Sequence, residues 1–441
     1  MRFRASGIGA VVGGAVHGPD VEVTGAGIDS RTIEAGQLFV PVTGERDGHD
    51  FIEAAVAAGA PAYLTARAPV GRGTAIVVDD AERALRELAI AARSRVRHAI
   101  GVTGSVGKTS TKDLLAHCLA ARYSTGAATG SFNNELGVPL TLVNAPGDAG
   151  VVVVEMGARA PGHIAWLCDI ASPTVAVVTV VAGVHLETFG TVERVAAAKG
   201  ELVQALPDDG IAVLNADDHR VEEMRRLTRG RVLTYSAMGN PDADLHAEQF
   251  ELDESLQPRF VLRSPWGDRQ VRLGVRGAHN VVNALAAAGA ALALDVPIDA
   301  VGDALATATL SRWRMELWRA ACGAQVLNDS YNANPTSMAA ALDALLRLPA
   351  RRHVAVLGRM AEIGEGSDEA HRRIGELATS YGITVIAVGE PAYGMDQNVG
   401  SPADAVAALQ RMGLGPDDAV LVKGSRSAGL DVVAAQLADG G

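Results

Sequence analysis

The sequence predicts an α/β fold in three domains, a central doubly wound phosphate-loop domain lying between a small N-terminal α/β unit and a C-terminal Rossmann-like α/β domain. Three observations carry this expectation. Apolar runs rich in β-branched residues, such as "VVVVEMG" (151–157) and "PTVAVVTVV" (173–181), do not alternate with polar residues, as strands covered on both faces require. Helical segments are interleaved with them, which is the pattern of a parallel sheet. Finally, "GVTGSVGKTSTKD" (101–113) ends an apolar run in a glycine loop that opens a helix.

Taken in order, residues 1–82 contain the short β-like runs "QLFVPV" and "AIVVDD", with the helical stretch "HDFIEAAVAAGA" between them. The segment 79–96 places Leu85, Leu88 and Ala92 on one helical face and arginines elsewhere, a helix suited to join this unit to the next. The second domain is expected over 83–311. From His98 it reads strand, glycine loop, helix, with Leu114, Leu115, Cys118 and Leu119 on the buried side. "GIAVLNADD" (210–218) adds a strand, "RFVLRSPWGDRQVRLGV" a hairpin turning at Trp266-Gly267-Asp268, and an Ala-rich helix follows from about Asn280 to Leu294. Over 312–441 the segments "AQVLNDSY", "HVAVLGR", "TVIAVGE" and "AVLVKGS" each carry an apolar run that leads into Gly, Asp or Ser. Ligands of such sheets sit outside the carboxyl ends of the strands, where those residues fall.

Composition narrows the function. Among 441 residues, 51 acidic side chains outweigh 39 basic ones, a net charge of -12 that disfavours nucleic acid as a partner. Cys118, Cys168 and Cys322 are scattered and form no C-x-x-C pair, so the chain is expected in a reducing cytoplasm. The longest apolar runs fall well short of the roughly 20 residues a membrane span needs, so no membrane partner is expected.

The glycine loop departs from the strict pattern G-x-x-x-x-G-K-[ST], because Val102 stands five positions before Gly107. Gly104, Gly107, Lys108 and Thr109 nevertheless supply converging backbone N–H groups, a helix N-terminus, a positive charge and a hydroxyl for Mg²⁺. In a chain with 49 glycines a chance Gly-Lys-Thr is the alternative, and the strand-loop-helix context argues against it. Glu155 ends the next strand, where a carboxylate can hold a metal against phosphates. His185 follows a buried strand and is either a second metal ligand or a packing histidine. Lys199 follows three alanines and is either partly enclosed or solvated. Asn133 and Asn134 suit a polar substrate or a turn, while Asp329, Tyr331 and Asn332 suit a nucleoside or a helix cap.

Together with "GSFNNELGVPLTL", "HLETFG", "AAAKGE", "GAHNVVNALAA", "RMELW", "NDSYNANPTSM" and "VKGSRS", these segments occur in the order seen in the Mur ligases, and the chain resembles that family over nearly its whole length. "NDSYNANP" and "KGSRS" resemble the branch that joins D-alanyl-D-alanine to UDP-N-acetylmuramoyl-tripeptide. The family's loop reads G-x-x-G-K-[ST], so the glycine that counts is Gly104. The resemblance implies an ATP-dependent carboxylate-amine ligase of peptidoglycan precursor synthesis, cytoplasmic and monomeric. It implies that the loop Gly104, Ser105, Val106, Gly107, Lys108, Thr109 and Ser110 holds ATP, with Thr109, Glu155 and His185 serving Mg²⁺ and Lys199 carrying a CO₂-derived carbamate. His279, Asn280, Asp329, Tyr331 and Asn332 would meet the nucleoside, Ser30 and Arg31 of "DSRT" and Asn133 and Asn134 the UDP-substrate, and Lys423, Ser425 and Arg426 the dipeptide. One segment departs: the usual "LGDMAELG" reads "LGRMAEIG" here, with Arg359 in place of an acid. The tripeptide-forming ligase of the same fold is the alternative, disfavoured because "DNPR" is missing. A folylpolyglutamate synthetase is disfavoured by the full first domain, and a phosphate-loop regulatory ATPase is the reading from another class.

Overall fold

A computed structural model describes residues 1–183, 186–361 and 363–438. The N-terminal sheet pairs Ala15–His17, Thr74–Val77, Ala62–Thr65, Leu38–Phe39 and Ala26–Gly27 in that order. Its exit helix, Ala81–Arg93, starts because Asp80 accepts hydrogen bonds from the backbone N–H of Glu82 and Arg83. Leu85, Leu88 and Ala92 are buried along the expected face. At the helix's far end Arg93 donates to the carbonyls of Ala171 (2.7 Å) and Ser172 (2.9 Å), satisfying the C-terminus of the helix His163–Ala171. A single apolar core runs from Ile8 and Leu38 through Leu88 to Val138, Val152 and Leu202, so the first two domains are packed as one body.

Among the described residues the central sheet has nine strands. Val151–Glu155 lies between Thr125–Ala127 and His98–Thr103, and Val175–Val178, Ile211–Asn215 and Arg231–Ser236 follow on the other side, all in parallel. The register sets Glu155 level with Val102, one residue before the strand that feeds the glycine loop ends. Three further strands, Leu245–Leu252, Pro258–Ser264 and Gly267–Arg272, extend the edge, the last two antiparallel. The hairpin turns earlier than its sequence suggests. Gly267 already pairs with Ser264, leaving Pro265-Trp266 as the loop, and the Ser264 hydroxyl donates to the Gly267 carbonyl at 2.8 Å. Gly267 opens the returning strand with φ +114°, a conformation glycine tolerates.

The C-terminal sheet orders Glu316–Arg319, Gln325–Asn328, Asp418–Lys423, Arg352–Gly358, Thr384–Val388 and Asn398–Val399. Its alternating residues pack into two cores, one on each face, and Leu256 of the central domain is buried in the first of them. Between this domain and the centre lies the segment 311–315, in which Trp313 (φ +63°) and Met315 (φ +52°) adopt left-handed backbone conformations rare for such bulky residues. Asp113, on the helix after the glycine loop, fixes the start of this linker by accepting from the Ser311 N–H (2.7 Å) and hydroxyl (2.8 Å). No helix among the described residues is long and apolar enough to cross a membrane.

Candidate active site

The glycine loop is shaped by its neighbours before any ligand is considered. Gly104 has φ +148°, and a Cβ there would stand 1.9 Å from the Thr179 hydroxyl; at Gly107 (φ +86°) it would meet Asn283 Oδ1 at 2.3 Å. The loop is tied to the next strand's end by Ser105, whose N–H donates to the Val180 carbonyl (2.6 Å) and whose hydroxyl donates to that of Ala182 (3.0 Å). Thr179 in turn donates to the Val106 carbonyl at 2.6 Å. Gly104→Ala is therefore expected to destabilise the protein by about 1–3 kcal/mol through backbone strain, seen as a lowered melting temperature; an unchanged melt would contradict the close packing against Thr179.

Gly107 caps the helix Lys108–Ala120, so the N–H groups of its first turn point outward from a helix N-terminus. Lys108 Nζ folds back to the carbonyls of Gly104 (2.9 Å) and Ser105 (3.4 Å). Thr109 donates its hydroxyl to Glu155 Oε2 at 2.8 Å. Glu155 is buried, and its other oxygen accepts from the Ser131 hydroxyl (2.9 Å) and the Asn133 amide (2.8 Å). Three neutral donors thus orient a carboxylate beside the loop. Asn134 instead turns the chain, accepting from the Gly137 N–H at 2.9 Å.

Lys199 is 2% exposed on the helix Val192–Gln204. Burial pushes its amine from the ordinary 10.5 down to about 7, with the charge of Lys108 adding to the effect and Glu201 and Glu155 opposing it. His185, the expected second metal ligand, lies outside the described residues. Among the described residues no three His, Cys, Asp or Glu side chains converge as a metal cage. A threonine hydroxyl and one carboxylate fit Mg²⁺, which completes its shell with waters and phosphate oxygens.

From the far side the C-terminal domain closes the same space. Asp329 accepts from Lys423 Nζ, which is 2% exposed and also donates to the Asn332 carbonyl at 2.9 Å; Asp329 further accepts from the Met315 N–H at 3.2 Å. Tyr331 lies under the guanidinium of Arg314, 4.2 Å from the ring centre. His279 stands opposite, its imidazole held below its ordinary pKa by burial and by Lys423, with Asp329 opposing. Asn280 donates to the Arg276 carbonyl and accepts from Asn283.

One cavity of about 420 Å³ unites these groups: residues 104–110, Asn133, Asn134, Glu155 and Lys199 on the central side, His279 and Asn280 at its edge, and Asp329, Tyr331, Asn332 and Lys423 on the C-terminal side. Ser30, Arg31, Ser425 and Arg426 are not part of it. Arg31 is exposed on the first domain and paired with Asp29 at 2.6 Å, which holds that carboxyl down to about 2. Arg426 lies over Trp313 and donates to Asp431. Sequence reasoning missed Ser131, Asn283 and Arg314, all of which line the cavity. "GSFNN" and "GAHNVVN" contain the first two, and a polar Asn283 on an otherwise Ala-rich buried helix was a readable signal. Arg314 sits in "RMELW", where nothing in the spacing announces a partner.

Three family profiles match: "Mur ligase family, catalytic domain" over residues 22–101, "Mur ligase middle domain" over 102–291 and "Mur ligase, glutamate ligase domain" over 313–426. The UDP-N-acetylmuramoyl-tripeptide–D-alanyl-D-alanine ligase of Mycobacterium tuberculosis is 40% identical, covering 97% of this chain and 96% of its own. A crystal structure of MurF from Acinetobacter baumannii superimposes with a TM-score of 0.87 at 29% identity, covering 100% of this chain and 99% of that one. That of the MurF ligase from Thermotoga maritima in complex with ADP gives 0.79 at 30% identity, covering 95% and 98%.

Proposed function

The chain belongs to the Mur ligase family, and from that premise we propose that it joins UDP-N-acetylmuramoyl-tripeptide to D-alanyl-D-alanine at the expense of ATP, in peptidoglycan precursor synthesis. One observation carries the reading: a phosphate loop faces an acidic and aromatic wall from another domain across a single cavity, with a buried lysine and an oriented carboxylate between them.

Joining a carboxylate to an amine is blocked by the poor leaving group. The tripeptide's terminal carboxylate attacks the γ-phosphorus of ATP, ADP departs, and an acyl phosphate results. The dipeptide amine, having lost a proton, then attacks the acyl carbon and phosphate leaves. Each step gathers negative charge at the glycine loop, where Lys108, the loop N–H groups and the helix N-terminus stabilise it. Thr109, Glu155 and His185 would hold Mg²⁺, which would supply neutralisation of the phosphate oxygens. Lys199, at a pKa of about 7, keeps much of its amine uncharged near neutrality. Reaction with CO₂ then releases a proton and leaves a carbamate, a long carboxylate for the same metal. Arg314 adds a cation at the nucleotide end. Tyr331, Asp329, Asn332, His279 and Asn280 hold the nucleoside, Ser30 and Arg31 the UDP head, and Asn133 the peptide end. The parts 1–82, 83–311 and 312–441 take these three duties in a monomer working in the cytoplasm.

Ligation requires that ATP consumption depend on both acceptor and amine, which coupled ADP assays measure directly; steady hydrolysis with either missing would favour a regulatory ATPase. Because, among the described buried residues, the C-terminal cores take in only Leu256 from the central domain, ATP plus the UDP-substrate is expected to lower the radius of gyration in solution scattering by fixing that domain across the cavity. Superimposable profiles with and without both ligands would argue against closure.

A further inference from the structure

In the C-terminal sheet the strand Asp418–Lys423 lies next to Arg352–Gly358. The chain leaving Arg352–Gly358 enters the helix Ser367–Ser380 on one face, where Ile374 and Ala378 share a core with Leu357. The chain leaving Asp418–Lys423 enters Asp431–Ala438 on the other, where Val433 and Ala434 share a core with Val356 and Val422. Adjacent parallel strands whose connections depart to opposite faces open a crevice at their carboxyl ends, the place where such sheets bind ligands. Its lips are Gly358-Arg359 and Gly424-Ser425. They are fixed to each other, since the Ser425 N–H donates to the Arg359 carbonyl (2.9 Å) and the Ala361 N–H to the Ser425 hydroxyl (2.8 Å). A Cβ on Gly424 would stand 3.1 Å from Gly358 Cα. Farther along the chain a Cβ on Gly364 would come 3.1 Å from Glu187, so that residue lies against the central domain.

The cations around it are not equivalent. Lys423 is buried against Asp329 and the Asn332 carbonyl, and Arg426 is engaged by Asp431 and Trp313. The Arg359 side chain is 66% exposed, and the ion-pair partner recorded for it among the described residues is Glu390 at 4.0 Å, beyond hydrogen-bonding distance. A rigid lip therefore presents a guanidinium fork, suited to bidentate grip of a carboxylate, at the mouth of a ligand crevice.

We infer that Arg359 holds the free C-terminal carboxylate of the incoming dipeptide, leaving its amine to reach across to the cavity. The inference rests on the ligase reading above: the dipeptide spends its amine in the reaction and retains a carboxylate as its only anionic handle. The test compares D-alanyl-D-alanine with D-alanyl-D-alaninamide as amine substrates of the wild-type enzyme, Arg359→Ala and Arg359→Lys. Arg359→Ala is expected to raise the KM for the dipeptide about tenfold or more, leaving kcat at saturation and the KM values for ATP and the UDP-substrate unchanged. Arg359→Lys should fall between, keeping the charge without the fork. The wild type should use the amide about as poorly as Arg359→Ala uses the dipeptide, and Arg359→Ala should no longer distinguish the two. An unchanged dipeptide KM in Arg359→Ala, or a retained preference for the carboxylate over the amide, overturns the inference while leaving the ligase reading standing. A wild-type enzyme that ligates no dipeptide removes both.

Discussion

Lys108→Ala is expected to lower ligation by about a hundredfold to a thousandfold, the order seen when a preorganised donor to developing negative charge is removed from a water-excluded site. The fold should survive. Lys108 occupies the first position of its helix, where a cation opposes the helix dipole, and alanine is the better helix former. Removal costs its hydrogen bonds to the Gly104 and Ser105 carbonyls. A second consequence follows from the charge coupling: Lys108 helps hold the Lys199 amine down, so its loss should raise the Lys199 pKa and leave less neutral amine near pH 7. A folded Lys108→Ala protein, verified by its melting curve and circular dichroism, that still ligates near the wild-type rate would remove the loop from the mechanism.

Lys199→Ala is expected to lose activity by about a hundredfold or more, on the scale of other groups that stabilise transition-state charge, and to be partly rescued by acetate or formate at high concentration. A free ammonium beside Lys108 would repel Mg²⁺, whereas a carbamate reverses the local sign and a small carboxylate can occupy the vacated position. Loss without rescue by any small carboxylate, together with no carbamate carbon resonance from the intact, folded wild-type protein in buffer saturated with isotopically labelled CO₂, would leave the residue as an ordinary buried amine.

The same burial predicts a pH effect on stability in CO₂-depleted buffer. The folded amine titrates near 7 and the unfolded one near 10.5. Between those values the unfolded chain holds the extra proton, so stability rises with pH across the window and the cost of burying the cation is at its full below about 7. Lys199→Met should therefore be more stable than wild type at pH 6, with the gap narrowing toward pH 10. A gap independent of pH would mean that Lys199 is not the group responsible.

What could be read in the sequence was whatever lies within one segment. Gly104 to Thr109, Glu155 at the end of "VVVVE" and the polar cluster "NDSYNANP" each show their chemistry through local spacing and the edge of the strand they follow. What could not be read was pairing between segments. Lys423 meets Asp329 because Asn328 pairs with Val422 across the sheet, a contact between residues 94 apart in the chain. Arg314 meets Tyr331 only after the linker folds back, its backbone fixed by the Tyr331 N–H to Trp313 carbonyl hydrogen bond. The shared core of the first two domains was also hidden, because each contributing run looks like a complete amphipathic surface until Arg93 and Leu88 find the helix His163–Ala171. The hairpin turn was misplaced for a simpler reason: a glycine reads as a turn, and here its freedom serves the first residue of the returning strand.

The central claim is tested most directly by product mass. The protein is incubated with ATP, Mg²⁺, UDP-N-acetylmuramoyl peptides of different length, and D-alanyl-D-alanine or single amino acids, and the products are weighed by mass spectrometry. One new species is expected, the UDP-tripeptide plus D-alanyl-D-alanine less one water, with ADP and phosphate formed in equal amount. A diamino acid added to the UDP-dipeptide, or ADP formed with no condensed product, would contradict it.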